Sequence, residues 1–181
     1  MPSTETHEIG PGEGTVTIYT YADGVAKKLG HDLIIGVDEW RATVSVEEDG
    51  TISSLTFDTS PEALRVLDSV NGPGPLKDNE FGEIKEIILG KVLGRDPIAF
   101  SSSAVEASNG SLTVNGELTL VGATRPAVFE LRTGDGRVSG RLTVDQTEWG
   151  ITPFSIMRGA LKVRETIEIS LDAALPSPGQ D

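Results

Sequence analysis

The chain has 181 residues, which suits one domain with a substantial core. Hydrophobic residues make up 37% of it and aromatic residues 5%, while 21 glycines and 10 prolines favour a turn-rich β protein with an aliphatic interior. The net charge of -13 excludes a protein that holds a nucleic-acid backbone on a basic face. The absence of cysteine excludes disulfides and thiolate metal sites.

The N-terminal segment gives no sign of export. Residues 1–14 are polar and lack the apolar core of a secretory signal, and no run in the sequence approaches the length of a membrane span. We therefore expect a cytoplasmic protein. Residues 1–14 are predicted to be a flexible tail, residues 15–175 a single domain, and residues 176–181 a C-terminal tail.

The first half of the domain alternates as β-strands do. Residues 15–21 alternate Val and Ile with Thr and Tyr, which predicts the first strand. Residues 33–47 alternate in two phases, which predicts one long strand with a β-bulge near Asp38 and Glu39. The dipeptide Asp49-Gly50 predicts a two-residue turn.

One segment has the spacing of a helix. Residues 78–92 place Phe81, Ile84, Ile88 and Val92 on one helical face, with Asp78 as a plausible N-cap. Just before it, residues 60–67 fit either a short helix that begins at Ser60-Pro61 or an extended strand, and the pattern does not decide between them.

Two Asn-Gly pairs compete for the turn of the next hairpin. A turn at Asn115-Gly116 would place apolar residues opposite polar ones. A turn at Asn109-Gly110 places Val105 opposite Val114, so that the apolar faces agree. The sequence therefore predicts the turn at Asn109-Gly110 and leaves Gly116 inside a strand, on its inward face.

The following turns extend this register. A four-residue connection at 122–125 would place Gly116 opposite Leu131, and a turn at Asp135-Gly136 would pair Leu131 with Gly140. Ser103, Gly116, Leu131 and Gly140 would then share one inward layer. Because three of them are small, the layer predicts space for an apolar ligand, unless the glycines serve strand coiling and other side chains fill the gap.

The strand count is about eight, with one or two short helices. These strands are predicted to be antiparallel and to close a lipocalin-like β-barrel, which either fills with side chains or holds one small ligand. A two-sheet sandwich is the alternative.

Several segments resemble the YceI-like family. They are Gly-His-Asp-Leu at 30–33 followed by Trp40, Gly-Glu-Leu-Thr-Leu-Val-Gly-Ala-Thr-Arg-Pro at 116–126, Trp-Gly-Ile-Thr-Pro-Phe at 149–154 and Gly-Ala-Leu-Lys-Val at 159–163. The resemblance extends from about residue 14 to residue 175. It implies a lipocalin-like barrel that takes a polyisoprenoid or other long apolar chain into its interior, and a binding protein that is not an enzyme.

Further candidates for the ligand site come from aromatic and apolar side chains. Phe129, Trp40 and Phe57 face inward in the predicted register and would line the tunnel, or serve as plain core. The segment 149–158 contains Trp149, Phe154 and Met157 in a non-strand connection. It would be a lid over the barrel mouth or a plug that completes the core.

Basic residues stand out in an acidic chain. Lys27, Lys28, His31 and Arg158 are candidates for binding a phosphate or carboxylate headgroup at the mouth, although lone basic residues are often merely solvated. A catalytic role for His31 and Asp32 is disfavoured, because the sequence has 2 histidines and lacks the usual catalytic and metal-binding motifs. His31 more naturally ties its loop to the barrel end.

The prediction is thus a cytoplasmic barrel that binds and carries or sequesters a long-chain isoprenoid or fatty-acid-like lipid. It needs no cofactor or metal, binds no nucleic acid, and is compatible with a homodimer. A side-chain-filled barrel that acts as a structural or partner-binding module is the alternative, and a small-molecule enzyme using His31 and Asp32 ranks below it.

Overall fold

The computed structural model describes residues 3–175 and is mostly β, with one short α-helix. The strands, in chain order, are β1 (Thr4–Ile9), β2 (Gly14–Thr20), β3 (Ala22–Asp23), β4 (Asp32–Val37), β5 (Arg41–Glu47), β6 (Ile52–Thr59), β7 (Leu64–Val70), β8 (Ile98–Ser108), β9 (Ser111–Leu120), β10 (Ala123–Gly134), β11 (Arg137–Asp145), β12 (Ser155–Ile156), β13 (Leu161–Val163) and β14 (Thr166–Ala174). Helix α1 (Asp78–Ile87) continues into a π-helical turn, Ile88–Val92. Short 3₁₀ helices cover Lys27–Leu29, Pro61–Ala63, Gln146–Trp149 and Met157–Gly159.

Eleven strands form one antiparallel sheet in the order β1-β5-β6-β8-β9-β10-β11-β14-β2-β4-β7. The predicted number of about eight strands is therefore wrong, and so is the closed barrel. The sheet curls into a half-barrel with β1 and β7 as its edges, which is consistent with a lipocalin-like fold. A second sheet of three short strands, in the order β12-β13-β3, lies beside it.

The N-terminal segment extends the sheet. Residues Thr4–Ile9 form β1, which pairs along β5 from Thr4 opposite Glu47 to Ile9 opposite Ala42. Ile9 is only 6% exposed, because it packs into the core. The structure thus gives residues 4–9 a strand where a flexible tail was predicted. The predicted tail at 176–181 lies outside the described residues.

Two of the hairpins follow the predicted registers. The turn at Asn109-Gly110 is confirmed, with Val105 opposite Val114 and positive φ angles of 46° and 82° at the two turn residues. Those angles suit the two-residue turns that match strand twist. The turn at Asp135-Gly136 is also confirmed, and it pairs Leu131 with Gly140.

The connection between β9 and β10 is tighter than predicted. Its turn is Val121-Gly122, again with positive φ angles of 47° and 77°, and pairing resumes at once with Ala123 opposite Leu120. Gly116 therefore lies opposite Ala127, and the predicted pairing of Gly116 with Leu131 is wrong. The two-residue turn gains ladder hydrogen bonds that a four-residue connection would leave unmade.

Where one long strand with a bulge was predicted, the structure has two separate strands, β4 and β5. β4 pairs with β2 and β7, whereas β5 pairs with β1 and β6, so the two strands belong to different parts of the sheet. The residues before β7 adopt both of the forms left open, a 3₁₀ turn at Pro61–Ala63 followed by extended chain.

The helix begins as the spacing predicted, although its N-cap differs. Lys77 is the N-cap residue, and the Glu80 carboxylate accepts a hydrogen bond of 3.0 Å from the Lys77 backbone N–H. The side chain of Lys85 donates to the carbonyl of Glu62, at 2.8 Å, and fastens the helix to the turn at Pro61–Ala63. Of the helices within residues 3–175, none combines the length and the hydrophobicity needed to cross a bilayer.

Candidate ligand-binding cavity

A cavity of about 310 Å³ lies between the curled sheet and the helical segment. This volume falls at the lower end of the range of about 300–1,000 Å³ that is typical of small-molecule sites. The strands of the sheet that contribute residues to the wall include β2, β4, β11 and β14 as well as β6, β8, β9 and β10. Nearly all of these residues are aliphatic or aromatic, so the cavity suits an apolar ligand.

At one layer of the wall, the space in front of the side chains is not filled by other side chains. Ile18, Ile169 and Leu142 lie side by side on β2, β14 and β11. All three line the cavity and remain only half-buried. Their partial exposure means that no neighbouring side chain fills the space in front of them.

The helical segment closes the side of the cavity that the sheet leaves open. Ile84, Ile88 and Val92, spaced one turn apart, line the cavity from α1 and the π-helical turn that follows it. An ion pair of 3.1 Å between Arg95 and Glu62 adds a second fastening at the end of this segment. The sequence predicted the apolar face of this helix, but not that it covers a ligand cavity.

Three of the four aromatic rings that line the wall come from the strands β6, β8 and β10. Phe100 and Phe129 meet edge to face with ring centroids 4.9 Å apart, and Phe57 lines the same space from β6. Trp40 stacks on Phe57 at 5.8 Å, but is absent from the cavity wall and belongs to the core behind it. Phe129 and Phe57 thus lie where they were predicted, while Trp40 supports the wall from outside.

The predicted layer of small residues is divided in the structure. Leu131 and Gly140 are paired and both line the cavity, but Gly116 does not. A Cβ atom at Gly116 would meet the carbonyl oxygen of Ser101 and lie 2.5 Å from Cζ of Phe100. At Gly140 it would lie 2.5 Å from the carbonyl oxygen of Glu130. Both glycines therefore permit close approach of neighbouring groups, and the space predicted at Gly116 is taken by the ring of Phe100.

Ser103 lies on the outside of the sheet. The ladder between β8 and β9 shifts between Ser102 and Ala104, which makes Ser103 the extra residue of a bulge. Its hydroxyl is exposed and donates to the carbonyl of Asn115 at 3.3 Å. Ser102 instead accepts a hydrogen bond of 2.9 Å from the backbone N–H of Leu55. Alternation alone could not place the bulge, so the predicted inward position of Ser103 is wrong.

The segment 149–158 divides into three parts. Trp149 is 4% exposed, and its indole N–H donates to the carbonyl of Leu118 at 2.8 Å, so it acts as a plug. Phe154 lines the cavity. Met157 is exposed at the tip of a hairpin, away from the wall. Of the two predicted roles, the plug applies to Trp149. The segment as a whole does not form a lid over the cavity.

The basic candidates lie outside the cavity wall. Lys27 and Lys28 are exposed on the 3₁₀ helix, and Arg158 is exposed at the hairpin tip. Nε2 of His31 lies 2.9 Å from the carbonyl oxygen of Gly74, which ties two loops together. Asp32 accepts hydrogen bonds of 2.8 Å from the backbone of Ala22 and from the side chain of Asn71. His31 and Asp32 are thus occupied with loop contacts rather than with each other.

Sequence reasoning missed a polar residue in the wall, Gln146. Its side chain is buried, and its amide nitrogen donates to the carbonyl of Arg164 at 3.0 Å. Gln146 lies in a 3₁₀ helix after β11, where no periodicity could have assigned it an inward position. It places one amide group in surroundings that are otherwise almost entirely apolar.

Charged groups are kept on the outer face of the sheet. Arg141 contributes to the wall, but its guanidinium pairs with Glu168 at 2.7 Å and lies 4.8 Å from the ring of Tyr19. Burial and the nearby Glu168 carboxylate raise the pKa of the Tyr21 hydroxyl. Within residues 3–175 no cluster of three His, Asp or Glu side chains could hold a metal ion.

A second, smaller cavity of about 30 Å³ lies beyond one end of the first. The side chains of Leu55, Phe57, Leu131 and Leu171 belong to the walls of both. They form a partition between the ligand-sized space and a pocket that has room for little more than a water molecule or two.

Comparison with known proteins agrees with this architecture. The fold is similar to that in the crystal structure of Burkholderia cenocepacia BcnA, with a TM-score of 0.65 and 13% sequence identity, over 90% of this chain and 96% of that chain. At this identity the likeness shows the fold alone. No curated protein gives a significant match. The sequence model of the YceI-like domain matches residues 36–175, which is well over half of the chain. The protein therefore belongs to the YceI-like family.

Proposed function

We propose that the protein binds a long-chain apolar lipid, of the polyisoprenoid or fatty-acid type, in the larger cavity and carries or sequesters it. The observation behind this proposal is an unfilled space of about 310 Å³ whose wall is almost entirely apolar. Membership of a family that binds hydrophobic ligands supports it. The alternative of a side-chain-filled barrel has less support, because side chains such as Ile18 and Ile169 face open space.

Burial of the hydrocarbon chain supplies the affinity in this proposal. Each methylene taken out of water contributes about 0.8 kcal/mol, which corresponds to a roughly fourfold gain in affinity per carbon. Part of this gain offsets the cost of about 4–15 kcal/mol for lost translational and rotational freedom. Binding should therefore strengthen steeply with chain length until the cavity is full, and it requires no charged contact in the wall.

The headgroup belongs at the end of the cavity where Thr20, Phe154 and Val163 lie. These residues join the wall to the small sheet, since Val163 pairs with Ala22 and its backbone N–H donates to the carbonyl of Phe154. The exposed Lys27, Lys28 and Arg158 are carried on the same small sheet and its connections. We infer that a polar headgroup leaves the cavity at this end, while the partition of Leu55, Phe57, Leu131 and Leu171 stops the tail at the other.

Native mass spectrometry of the purified protein tests the proposal. The wild-type protein should carry an adduct of lipid mass, or acquire one when it is mixed with prenols or fatty acids. Ile169→Trp places an indole in the cavity and should abolish the adduct. Val128→Trp is the matched control, since Val128 is exposed on the sheet and does not line the cavity, and it should leave the adduct unchanged.

Two results would contradict the proposal. One is a wild-type protein that acquires no lipid of any chain length tested. The other is an Ile169→Trp variant that is folded and retains the lipid as well as Val128→Trp does.

A further inference from the structure

An exposed apolar and basic patch surrounds the hairpin that joins β12 to β13. Four large hydrophobic side chains are largely exposed there: Val25 at 95%, Leu29 at 58%, Ile156 at 46% and Met157 at 56%. Soluble proteins commonly expose single hydrophobic residues, but a group of them on one surface marks an interaction site. We name these four residues, together with Lys27, Lys28 and Arg158, the tip patch.

Backbone contacts hold the two halves of the tip patch together. The backbone N–H of Ala26 donates to the carbonyl of Ala160 at 2.8 Å, and Lys162 lies opposite Asp23 in the small sheet. A Cβ atom at Gly24 would collide with the carbonyl oxygen of Ala160, so this loop lies directly on the hairpin. The loop residues Val25–Leu29 and the hairpin tip therefore form one surface.

The charge of this surface is opposite to that of the whole molecule. Segments 22–31 and 155–164 contain five Lys or Arg residues, of the 15 in the chain, and one acidic residue, Asp23. In residues 3–175, none of the three basic side chains of the tip patch lies within 4.0 Å of a carboxylate. The chain as a whole has a net charge of -13, so this local excess of positive charge makes the charge distribution uneven. An anionic surface should therefore orient the protein with this region towards it.

The hairpin tip is also held in an unfavourable backbone conformation. Met157 and Arg158 both have φ of 56° and are followed by Gly159 at 87°. Left-handed conformations are uncommon for residues with side chains and carry a cost. Here the conformation projects an unburied thioether and a guanidinium from the end of the domain. The same hairpin places Phe154 and Val163 in the cavity wall, so the tip lies next to the proposed exit of the ligand.

We propose that the tip patch docks the protein onto the surface of an anionic lipid bilayer. Exposed aliphatic and thioether side chains enter the boundary of headgroups and acyl chains, while lysine and arginine side chains attract anionic lipids, each contribution being small and their sum decisive. The acidic remainder of the molecule is repelled, so the docked protein presents its tip to the membrane. This inference concerns a surface outside the cavity and does not depend on which ligand the cavity takes.

Vesicle co-sedimentation with the full chain tests the inference. The probes are vesicles of phosphatidylcholine alone and vesicles of phosphatidylcholine mixed with phosphatidylglycerol. The wild-type protein should sediment with the mixed vesicles and far less with the neutral ones, and added salt should weaken this binding. Lys27→Gln combined with Lys28→Gln should weaken it about twenty-five-fold, because each basic residue near an anionic surface contributes a factor of about five.

Matched controls separate the patch from overall charge and hydrophobicity. Arg41→Gln combined with Arg132→Gln removes the same charge from other exposed positions and should leave binding unchanged. Val25→Ser combined with Met157→Ser should reduce binding severalfold, whereas Val128→Ser, at another exposed hydrophobic position, should not. All of these positions are exposed, so the variants should fold as the wild type does.

Three outcomes would overturn the inference. They are a wild-type protein that stays in the supernatant with both vesicle types, equal sedimentation with neutral and anionic vesicles, and tip-patch variants that bind as their controls do. Loss of cavity binding in the Ile169→Trp variant with unchanged sedimentation would leave the docking surface standing, since the two tests address different parts of the molecule.

Discussion

The aromatic ring of Phe100 lies over Gly116, where any larger residue would have its Cβ atom. That atom would be 2.5 Å from Cζ of Phe100 and would also meet the carbonyl oxygen of Ser101 on the neighbouring strand. Phe100 in turn contacts Phe129 and lines the cavity. The missing side chain at Gly116 therefore allows a bulky aromatic to form the wall and leaves no space of its own.

Gly116→Ala should destabilise the protein through this contact. Overpacking of a well-packed core costs about 1–3 kcal/mol, and here part of the clash is with backbone, which cannot rotate away. Urea unfolding should show a lower midpoint for this variant. Gly134→Ala is the control, because a Cβ atom there has no neighbour within 4 Å and the φ angle is not in the left-handed region. That change should be neutral or stabilise by up to about 1 kcal/mol. Equal midpoints for the two variants would contradict the role assigned to Gly116.

The local turns could be predicted from the sequence because each depends on a few residues. Asn109-Gly110 and Asp135-Gly136 are residues that favour positive φ, and the alternation on either side fixed the register. The turn at Val121-Gly122 was missed because valine is a poor choice for positive φ, although the structure has 47° there. The bulge at Ser103 was missed because a bulge changes the alternation without a residue signature of its own.

Long-range features of the fold and the site were harder to predict from the sequence. The pairing of Thr4–Ile9 with β5 joins residues about 40 positions apart, and its short polar sequence gave no apolar alternation. The cavity wall combines Ile84 and Ile88 of the helical segment with strands from both halves of the sheet. Phe57, Phe129, Leu131 and Gly140 were placed in it because inward alternation survives small errors of pairing, whereas Phe154 was named from the apolar content of a non-strand segment. Gln146 could not be placed, since it belongs to an irregular turn.

The two tryptophans should respond differently to replacement by phenylalanine. Trp149 donates a hydrogen bond of 2.8 Å to the carbonyl of Leu118, whereas the indole N–H of Trp40 is buried without a partner among residues 3–175. Both replacements remove the same atoms from buried sites. Trp149→Phe also loses a buried hydrogen bond, while Trp40→Phe removes an unpaired donor.

Trp149→Phe should therefore be the more destabilising of the two, by about 0.5–1.5 kcal/mol in the free energy of unfolding. Chemical unfolding followed by circular dichroism measures the difference without reliance on tryptophan fluorescence. A larger loss for Trp40→Phe would contradict the plug role of Trp149.

Acid stability should depend on the turn that follows β5. Hydrogen bonds from the side chain and the backbone of Thr51 lower the pKa of the Asp49 carboxyl below its ordinary value. A carboxyl whose folded pKa is lowered stabilises the protein above its unfolded pKa of about 3.9, and this stabilisation is lost as the pH falls through the folded value. Asp49→Asn should accordingly be less stable than the wild type at about pH 6, and the difference should shrink at about pH 2.

A second variant identifies the cause of this pKa shift. Thr51→Val removes the hydroxyl donor but keeps the backbone N–H, so the Asp49 pKa should rise partway to its ordinary value. An NMR titration of the Asp49 carboxyl measures this directly. An unchanged Asp49 pKa in Thr51→Val, or a constant stability difference for Asp49→Asn across the pH range, would contradict the assignment.

The partition between the two cavities should set the length of the bound chain, if the proposed lipid binding is correct. Leu171 belongs to both walls and lies opposite Gly140, which offers no side chain to replace it. Leu171→Ala should open the larger cavity into the smaller one. Each further methylene that enters should tighten binding roughly fourfold, so the best-bound chain should become longer by a few carbons.

Ile167→Ala is the matched control for this experiment. It removes the same number of carbon atoms from the same strand, but Ile167 lines only the larger cavity. Both variants should lose stability, by at most the 2–5 kcal/mol or so of a fully buried large-to-alanine change, because both side chains are half-buried. The measurement is the affinity for fatty acids or prenols of graded length. Only Leu171→Ala should move the optimum, since a wider space beside the chain does not lengthen its path. An equal shift in both variants, or none in Leu171→Ala, would show that the partition does not limit the chain.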